Sequence, residues 1–350
     1  MARQIVRLKD VAERANVSIA TASMALSMNE EFRGRLSDET RERVLQIADE
    51  MNYHPAAFAK QMKGKTSRII GLVIPDLMNQ FYPEIACGFS NTANKLGYNV
   101  ILLNSRNEIS REKSFIETML EMRVDGAAIC GANLNCEKER NQQNKIYRKL
   151  FQADIPVVMV DRYDDNAHFP YVGIDNYQAT FMMTENLIKD GHRRIAAIVS
   201  ATDVYILKER KRGYVEAMRS YGLEPYYLSV NTSDVEDIRK KSREIMESDR
   251  GFTALFNTHS DIGAIEAIRC ANQLGKNIPD DISIAGFDDI SVSSLLNPSL
   301  TTIAQPKYEI GKQAMKTLNR MIEENTLEAE NVLLPCEFIR RDSTKVFPQP

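Results

Sequence analysis

Acidic residues recur where apolar runs stop. Asp76 follows Ile69–Ile74 and Pro75, and Asp161-Arg162 follows Val157–Val160. Phe256 and Asp261 end and follow a third run, Asp288 follows Ile284–Phe287, and Asp175 opens a second series of such runs. Strand ends are where open α/β sheets hold ligands. A carboxylate or guanidinium buried there makes charge-assisted hydrogen bonds to hydroxyls or to a carboxylate. Asn79, Phe81 and Tyr82 come shortly after Asp76; the two rings either stack on a sugar or a base or simply pack at a helix start. Such groups fit binding as well as catalysis. No G-x-G-x-x-G or G-x-x-x-x-G-K-[ST] follows a strand, and no G-x-S-x-G occurs, so an enzyme is disfavoured and no cofactor is expected. The five cysteines form no C-x-x-C pair and the four histidines are scattered. Reduced thiols and no metal site are the expectation.

The elements that must position these groups are legible from Ile69 onward. Ile69–Ile74, Val100–Leu103, Ala127–Cys130 and Val157–Val160 read as buried strands with helical stretches between them, as in a parallel sheet. The cycle restarts after about Tyr171, with a helix over 178–190 and strands at Ile195–Val199, Ala254–Phe256 and Ile282–Ala285. Two βα series predict two similar lobes, and a cleft between lobes is a usual place for a small ligand.

The first 63 residues follow a different grammar. Leu8, Val11, Ala12 and Ala15 recur at i, i+3, i+4, i+7. Asn16-Val17-Ser18 breaks that pattern, with Ser18 placed to cap a short second helix carrying Ala22, Ala25 and Leu26. Ser37, Asp38 and Glu39 start a third helix with Val44, Ile47, Ala48 and Met51 on one face. Helix, tight turn, short helix is how a recognition helix is presented to the major groove. Arg33 and Arg35 between helices two and three either meet phosphate or sit in a solvated turn. Pro55 opens and Gly64 ends a segment too short to be a stable helix alone, a linker suited to folding on DNA.

Overall charge is −3, with +2 over residues 1–65 and −5 over the rest, a weak basic bias toward the head. No run approaches the ~18 apolar residues of a membrane span. The N-terminus lacks a signal-peptide core, so a cytoplasmic protein without membrane partners is expected.

Leu8–Ala12, Val17–Ser23, Thr40–Val44 and Asn52–Pro55 resemble the head of the LacI/GalR family of bacterial repressors. The resemblance runs on through Ile70–Asp76, Asp125-Gly126, Pro156–Arg162, Gly191–Ile195, Arg210–Tyr214, Ile284–Asp288 and Leu300–Ile303. It implies an all-α helix-turn-helix head (1–54), a hinge helix (55–64) and a two-lobed α/β core with parallel sheets, similar to periplasmic sugar-binding proteins (65–350). The chain would cross between lobes three times, with lobe one at about 65–171 and 302–331 and lobe two at about 172–301 and 332–350.

In such a head Ile19, Ala20 and Met24 face the bases, and Thr21 and Ser23 face phosphate. Leu8 and Ser18 complete the set expected at the DNA. The position of Met24 is very often Arg in the family; methionine offers apolar contact only, for instance to a thymine methyl, or core packing. Met62 stands where the family places an apolar wedge in the minor groove, Ala59 suits close approach of two hinges, and Ala56 replaces a common Asn. Arg210 matches the family's ligand-binding Arg; a lobe-closing ion pair with Asp288 is the other reading. The family implies a sugar or sugar phosphate as effector, with a purine or a partner protein as alternatives. It also implies a homodimer on a pseudo-palindromic double-stranded operator; the chain shows no leucine heptad tail like those of tetrameric members. The rival to a repressor is a solute receptor without DNA function, which would need export.

Overall fold

A computed structural model describes residues 6–26, 36–53, 66–132, 137–162, 169–202, 204–232 and 234–347. The expectations for Arg33, Arg35, Ala56, Ala59 and Met62 lie outside these residues. The chain divides into two compact units, Met1–Ser67 and Arg68–Pro350.

In the first unit, α1 (Leu8–Arg14), α2 (Ile19–Ala25) and α3 (Asp38–Glu50) enclose a core of small residues. Val11, Ala12, Ala15, Ala22, Ala25, Val44 and Ala48 are buried there, with Leu8, Val17, Leu26 and Ile47 packed around them. Alanines let short helices approach closely. The caps are those expected from sequence: Thr21 N–H donates to Ser18 Oγ at 3.0 Å and Thr40 N–H to Ser37 Oγ at 3.3 Å. The turn between α1 and α2 places Asn16 at φ 53°, a left-handed conformation that asparagine tolerates.

The second unit has two parallel sheets. β1 (Ile69–Ile74), β2 (Asn99–Asn104), β3 (Gly126–Ile129), β4 (Val157–Val160), β5 (Tyr171–Ile174) and β11 (Val332–Leu334) form the first, in the order β11-β5-β4-β3-β1-β2. Helices α4 (Phe81–Lys95), α5 (Ile109–Met122), α6 (Glu137–Phe151) and α11 (Lys307–Glu324) belong to this lobe. β6 (Ile195–Ser200), β7 (Tyr226–Val230), β8 (Ala254–Asn257) and β9 (Ser283–Ala285) form the second, in the order β7-β6-β8-β9. α7 (Asn176–Lys189), α8 (Tyr205–Ser220), α9 (Val235–Glu247) and α10 (Asp261–Gln273) accompany it. β10 (Thr302–Ala304) pairs antiparallel with β12 (Glu337–Ile339). Central strands are buried along their length, as parallel strands covered on both faces must be. α4 and α11 touch backbone to backbone: a Cβ on Gly311 would overlap the Ile85 carbonyl oxygen, and one on Gly88 the Tyr308 carbonyl oxygen.

Sheet membership moves the expected lobe boundaries. Tyr171–Ile174 and Val332–Leu334 both join the first sheet, through Met159↔Tyr171 and Val332↔Val172. The chain therefore crosses after Ile174 and after Leu334, rather than near 171 and 331. Thr301 and Ala304 bridge Ala285 and Asp288 of the second lobe, so the return to lobe one begins after Ala304. A short apolar run carries no mark of which sheet it completes; the partner strand decides.

Candidate nucleic-acid interface and ligand cleft

In the head, Ser18 and Thr21 are joined to each other, their hydroxyl oxygens 2.9 Å apart, besides the cap bond from the Thr21 N–H. The cap holds the start of α2 where its outer face is displayed. Ile19 is 50% exposed, Ala20 is exposed, and Ser23 and Met24 are half-buried. Met24 is outside the buried cluster of the head, whereas Leu8 packs against it. Leu8 is half-buried in α1 and packs against the core from its edge. An exposed isoleucine beside an exposed alanine on a short capped helix is a surface suited to thymine methyl groups.

The cleft of the second unit lies at the C-terminal ends of both sheets and has a cavity volume of about 40 Å³. Lobe one supplies Asn79, Phe81 and Tyr82 from the start of α4, and Asp161 and Arg162 after β4. Lobe two supplies Ile206, Leu207 and Arg210 from α8, His259 and Ser260 after β8, and Asp288 after β9; Gln305 comes from the crossing after β10. Phe81 and Tyr82 meet edge to face at 5.1 Å and are almost fully buried, which is the packing expected at a helix start, and both residues also line the cleft.

Arg210 is 4% exposed. Its Nε donates to Asn176 Oδ1 at 2.7 Å and its Nη1 to the His259 carbonyl at 2.8 Å. The guanidinium lies 3.8 Å from the Phe287 ring centroid and 3.8 Å from Asp288 Oδ1. Asp288 also accepts from Gln305 Nε2 at 2.7 Å. Its backbone is left-handed at φ 111°, and Lys307 Nζ donates to its carbonyl at 2.8 Å. Burial pushes the Asp288 carboxyl up to about 7, against the pull of Arg210. Arg162 Nη1 donates to Asn107 Oδ1 at 3.0 Å and to the Gly131 carbonyl at 2.9 Å. Asp161 is raised by burial, with Arg162 and Arg210 opposing and a hydrogen bond from Tyr82.

Behind Arg162 stands a group that sequence reasoning missed. Glu112, fully buried in α5, accepts from the Ala132 N–H (2.7 Å), Gln143 Nε2 (2.8 Å) and the Tyr147 hydroxyl (2.7 Å). It fixes the Gly131–Ala132 segment whose carbonyl orients Arg162. A mid-helix glutamate carries no signal of burial. Ile206, Leu207, His259, Ser260 and Gln305 were also missed. The first two look like ordinary helix residues, while His259 and Ser260 follow a strand and were open to the same strand-end reasoning as Asp161.

Four expected ligand contacts lie elsewhere. Asp76 accepts from the Met78 N–H at 2.9 Å in a turn, beside Asn104 and Arg106. Asp175 caps α7 through the Gln178 N–H at 2.9 Å and faces a neighbouring hollow with Tyr177 and Tyr205. Phe256 is fully buried in the core between sheet and helices. Asp261 is fully buried and held internally: it accepts from the Ile290 N–H (2.9 Å), Ser293 Oγ (2.6 Å) and Thr302 Oγ1 (2.5 Å). These bonds tie the loop after β9 and strand β10 to the start of α10, so Asp261 shapes the second lobe and does not line the cleft.

Residues 7–56 match the model of bacterial regulatory proteins of the lacI family, and residues 184–344 that of the periplasmic binding protein-like domain. The chain is 33% identical to the ribose operon repressor of Halalkalibacterium halodurans over 97% of both chains. The chain belongs to the LacI family. It is a sequence-specific DNA-binding transcriptional regulator with a periplasmic-binding-protein-like core. Two solved LacI-family structures share its architecture. The lac repressor dimer bound to operator and the anti-inducer ONPF superposes with a TM-score of 0.82 at 24% identity, over 98% of this chain and 100% of that one. A LacI-family regulator from Enterococcus faecium with bound ribose has a TM-score of 0.68 at 25% identity, over 80% of this chain and 100% of that one.

Proposed function

We propose that the chain is a dimeric repressor that holds a pseudo-palindromic operator and is switched by a sugar in the interlobe cleft, and that it has no catalytic activity. The observation that carries this reading is the cleft itself. Arginines, carboxylates and aromatic edges from both lobes converge on one space at the strand ends, an arrangement that binds a polyol and holds no activated nucleophile. The relatives named as a ribose operon repressor and as a ribose complex support a sugar. A ligand that touches both lobes favours the closed arrangement through its differential affinity for the two states.

On the DNA side, Ile19, Ala20 and Met24 are assigned to the bases and Thr21 and Ser23 to phosphate. Ala59 and Met62 keep their expected roles in the hinge and minor groove. The test is selection of fragmented genomic DNA by the full-length protein, followed by binding of the enriched site at two salt concentrations. A repressor gives a specific complex that weakens steeply with salt and whose affinity changes on adding ribose or another sugar. Operator binding that ignores every sugar tested would overturn the proposed switch.

A further inference from the structure

Two side-chain atoms in the cleft wall are buried without a hydrogen-bond partner: His259 Nδ1 and Gln305 Oε1. Leaving such an atom unpaired is destabilising, and in a ligand cleft it marks where a ligand atom belongs. The backbone sets the His259 ring in place, because its N–H donates to Asn257 Oδ1 at 3.1 Å and its carbonyl accepts from Arg210. Burial, then the charges of Arg210 and Arg162, hold the imidazole down to about 3. At neutral pH the ring therefore carries one N–H and one lone pair, and meets a hydroxyl as donor or acceptor.

The charges around it point to the kind of hydroxyl carrier. Asp161 and Asp288 face Arg162 and Arg210, two acids against two bases. Both guanidinium groups are already engaged, Arg210 with Asn176 and the His259 carbonyl and Arg162 with Asn107 and the Gly131 carbonyl. The bare Gln305 Oε1 is an amide oxygen and only accepts hydrogen bonds, so this wall asks a ligand for O–H donors. A free sugar supplies them. A phosphate ester brings only further acceptors and a charge of roughly −1.5 to −2 to a wall whose guanidinium N–H groups already donate elsewhere.

Resting on the reading of this cleft as the effector site, we propose that it selects a neutral, unphosphorylated sugar ring, and that His259 is a specificity-determining residue that hydrogen-bonds one of the ring hydroxyls. The test is calorimetric titration of the full-length protein with D-ribose, D-glucose and the phosphate esters of both. The His259→Phe and His259→Gln variants are titrated in parallel, with melting of each free protein to control for folding. A free sugar binds, and its phosphate ester binds at least about a hundredfold more weakly. The Phe variant loses about tenfold in affinity for that sugar; the Gln variant, which restores a donor and an acceptor, recovers most of it. A phosphate ester binding as tightly as its parent sugar would overturn the selection of neutral rings. A Phe variant with undiminished sugar affinity would overturn the role of His259. Silence of all four compounds, with intact operator binding, would instead remove the sugar reading on which both rest.

Discussion

Replacing Arg210 by methionine separates ligand sensing from DNA binding. Methionine keeps length and an apolar surface against Phe287, and removes the guanidinium. Two bonds of 2.7 and 2.8 Å to Asn176 and the His259 carbonyl are lost, and each acceptor left buried costs roughly 1–3 kcal/mol. A desolvated cation–π contact adds about 2 kcal/mol, the guanidinium carbon being 3.8 Å from the Phe287 centroid. Two effects offset these losses: the variant no longer buries a charge, and Asp288, already raised to about 7, takes up a proton once the lowering influence of Arg210 is gone. The net expectation is a loss of about 3–5 kcal/mol, as for breaking a buried pair from one side. Effector affinity falls by about 2–5 kcal/mol, which is roughly thirtyfold to several-thousandfold. Urea denaturation followed by circular dichroism gives the first number; fluorescence anisotropy of a labelled operator, with and without ribose, gives the second. A variant within about 1 kcal/mol of wild type that still responds to the same sugar concentration would refute the role given to Arg210.

Other perturbations probe the supporting structure. Asp261 is raised to about 6 by burial and Asp288 to about 7, so both stabilise the fold most below their ordinary range and lose that contribution as pH rises through those values. His192, lowered to about 4, and His259, lowered to about 3, act oppositely over the same window, because the unfolded chain binds their protons first. Asp161 and Glu112 are raised by burial as well, so the carboxyls outweigh the two histidines and wild-type stability should fall from pH 4 to pH 6. Asp261→Asn should lessen that fall by about 2 kcal/mol, and a variant profile parallel to wild type would count against the shift. Gly311→Ala drives a methyl into the Ile85 backbone, which cannot rotate away; a loss of about 3 kcal/mol or more is expected in denaturant unfolding. Gly97→Ala is a contrast, with open space around it and a φ of +77°, expected to cost only about 1–2 kcal/mol. Ser18→Ala removes the cap of α2, costing the head about 1 kcal/mol; operator affinity should fall while sugar affinity measured by calorimetry stays unchanged.

Local chemistry alone determined much of this molecule. Ser18 and Ser37 are caps because a hydroxyl before an apolar helical face satisfies a free N–H wherever it occurs. The central strands are apolar runs because a parallel strand is covered on both faces. Asn79, Phe81, Tyr82, Arg162, Arg210 and Asp288 were legible as cleft residues because strand ends and the family's motifs share one pattern. Tertiary structure decided the rest. Asp261 and Asp288 look alike in sequence, each an aspartate near the end of an apolar run. Ile290, Ser293 and Thr302, far along the chain, turn the first inward, while Arg210 and Gln305 hold the second at the cleft wall. Phe256 is core because helices close over it, and Tyr171–Ile174 completes the first sheet because β4 and β11 flank it. A side chain's direction after a strand depends on partners brought together by the fold, and no local spacing records them.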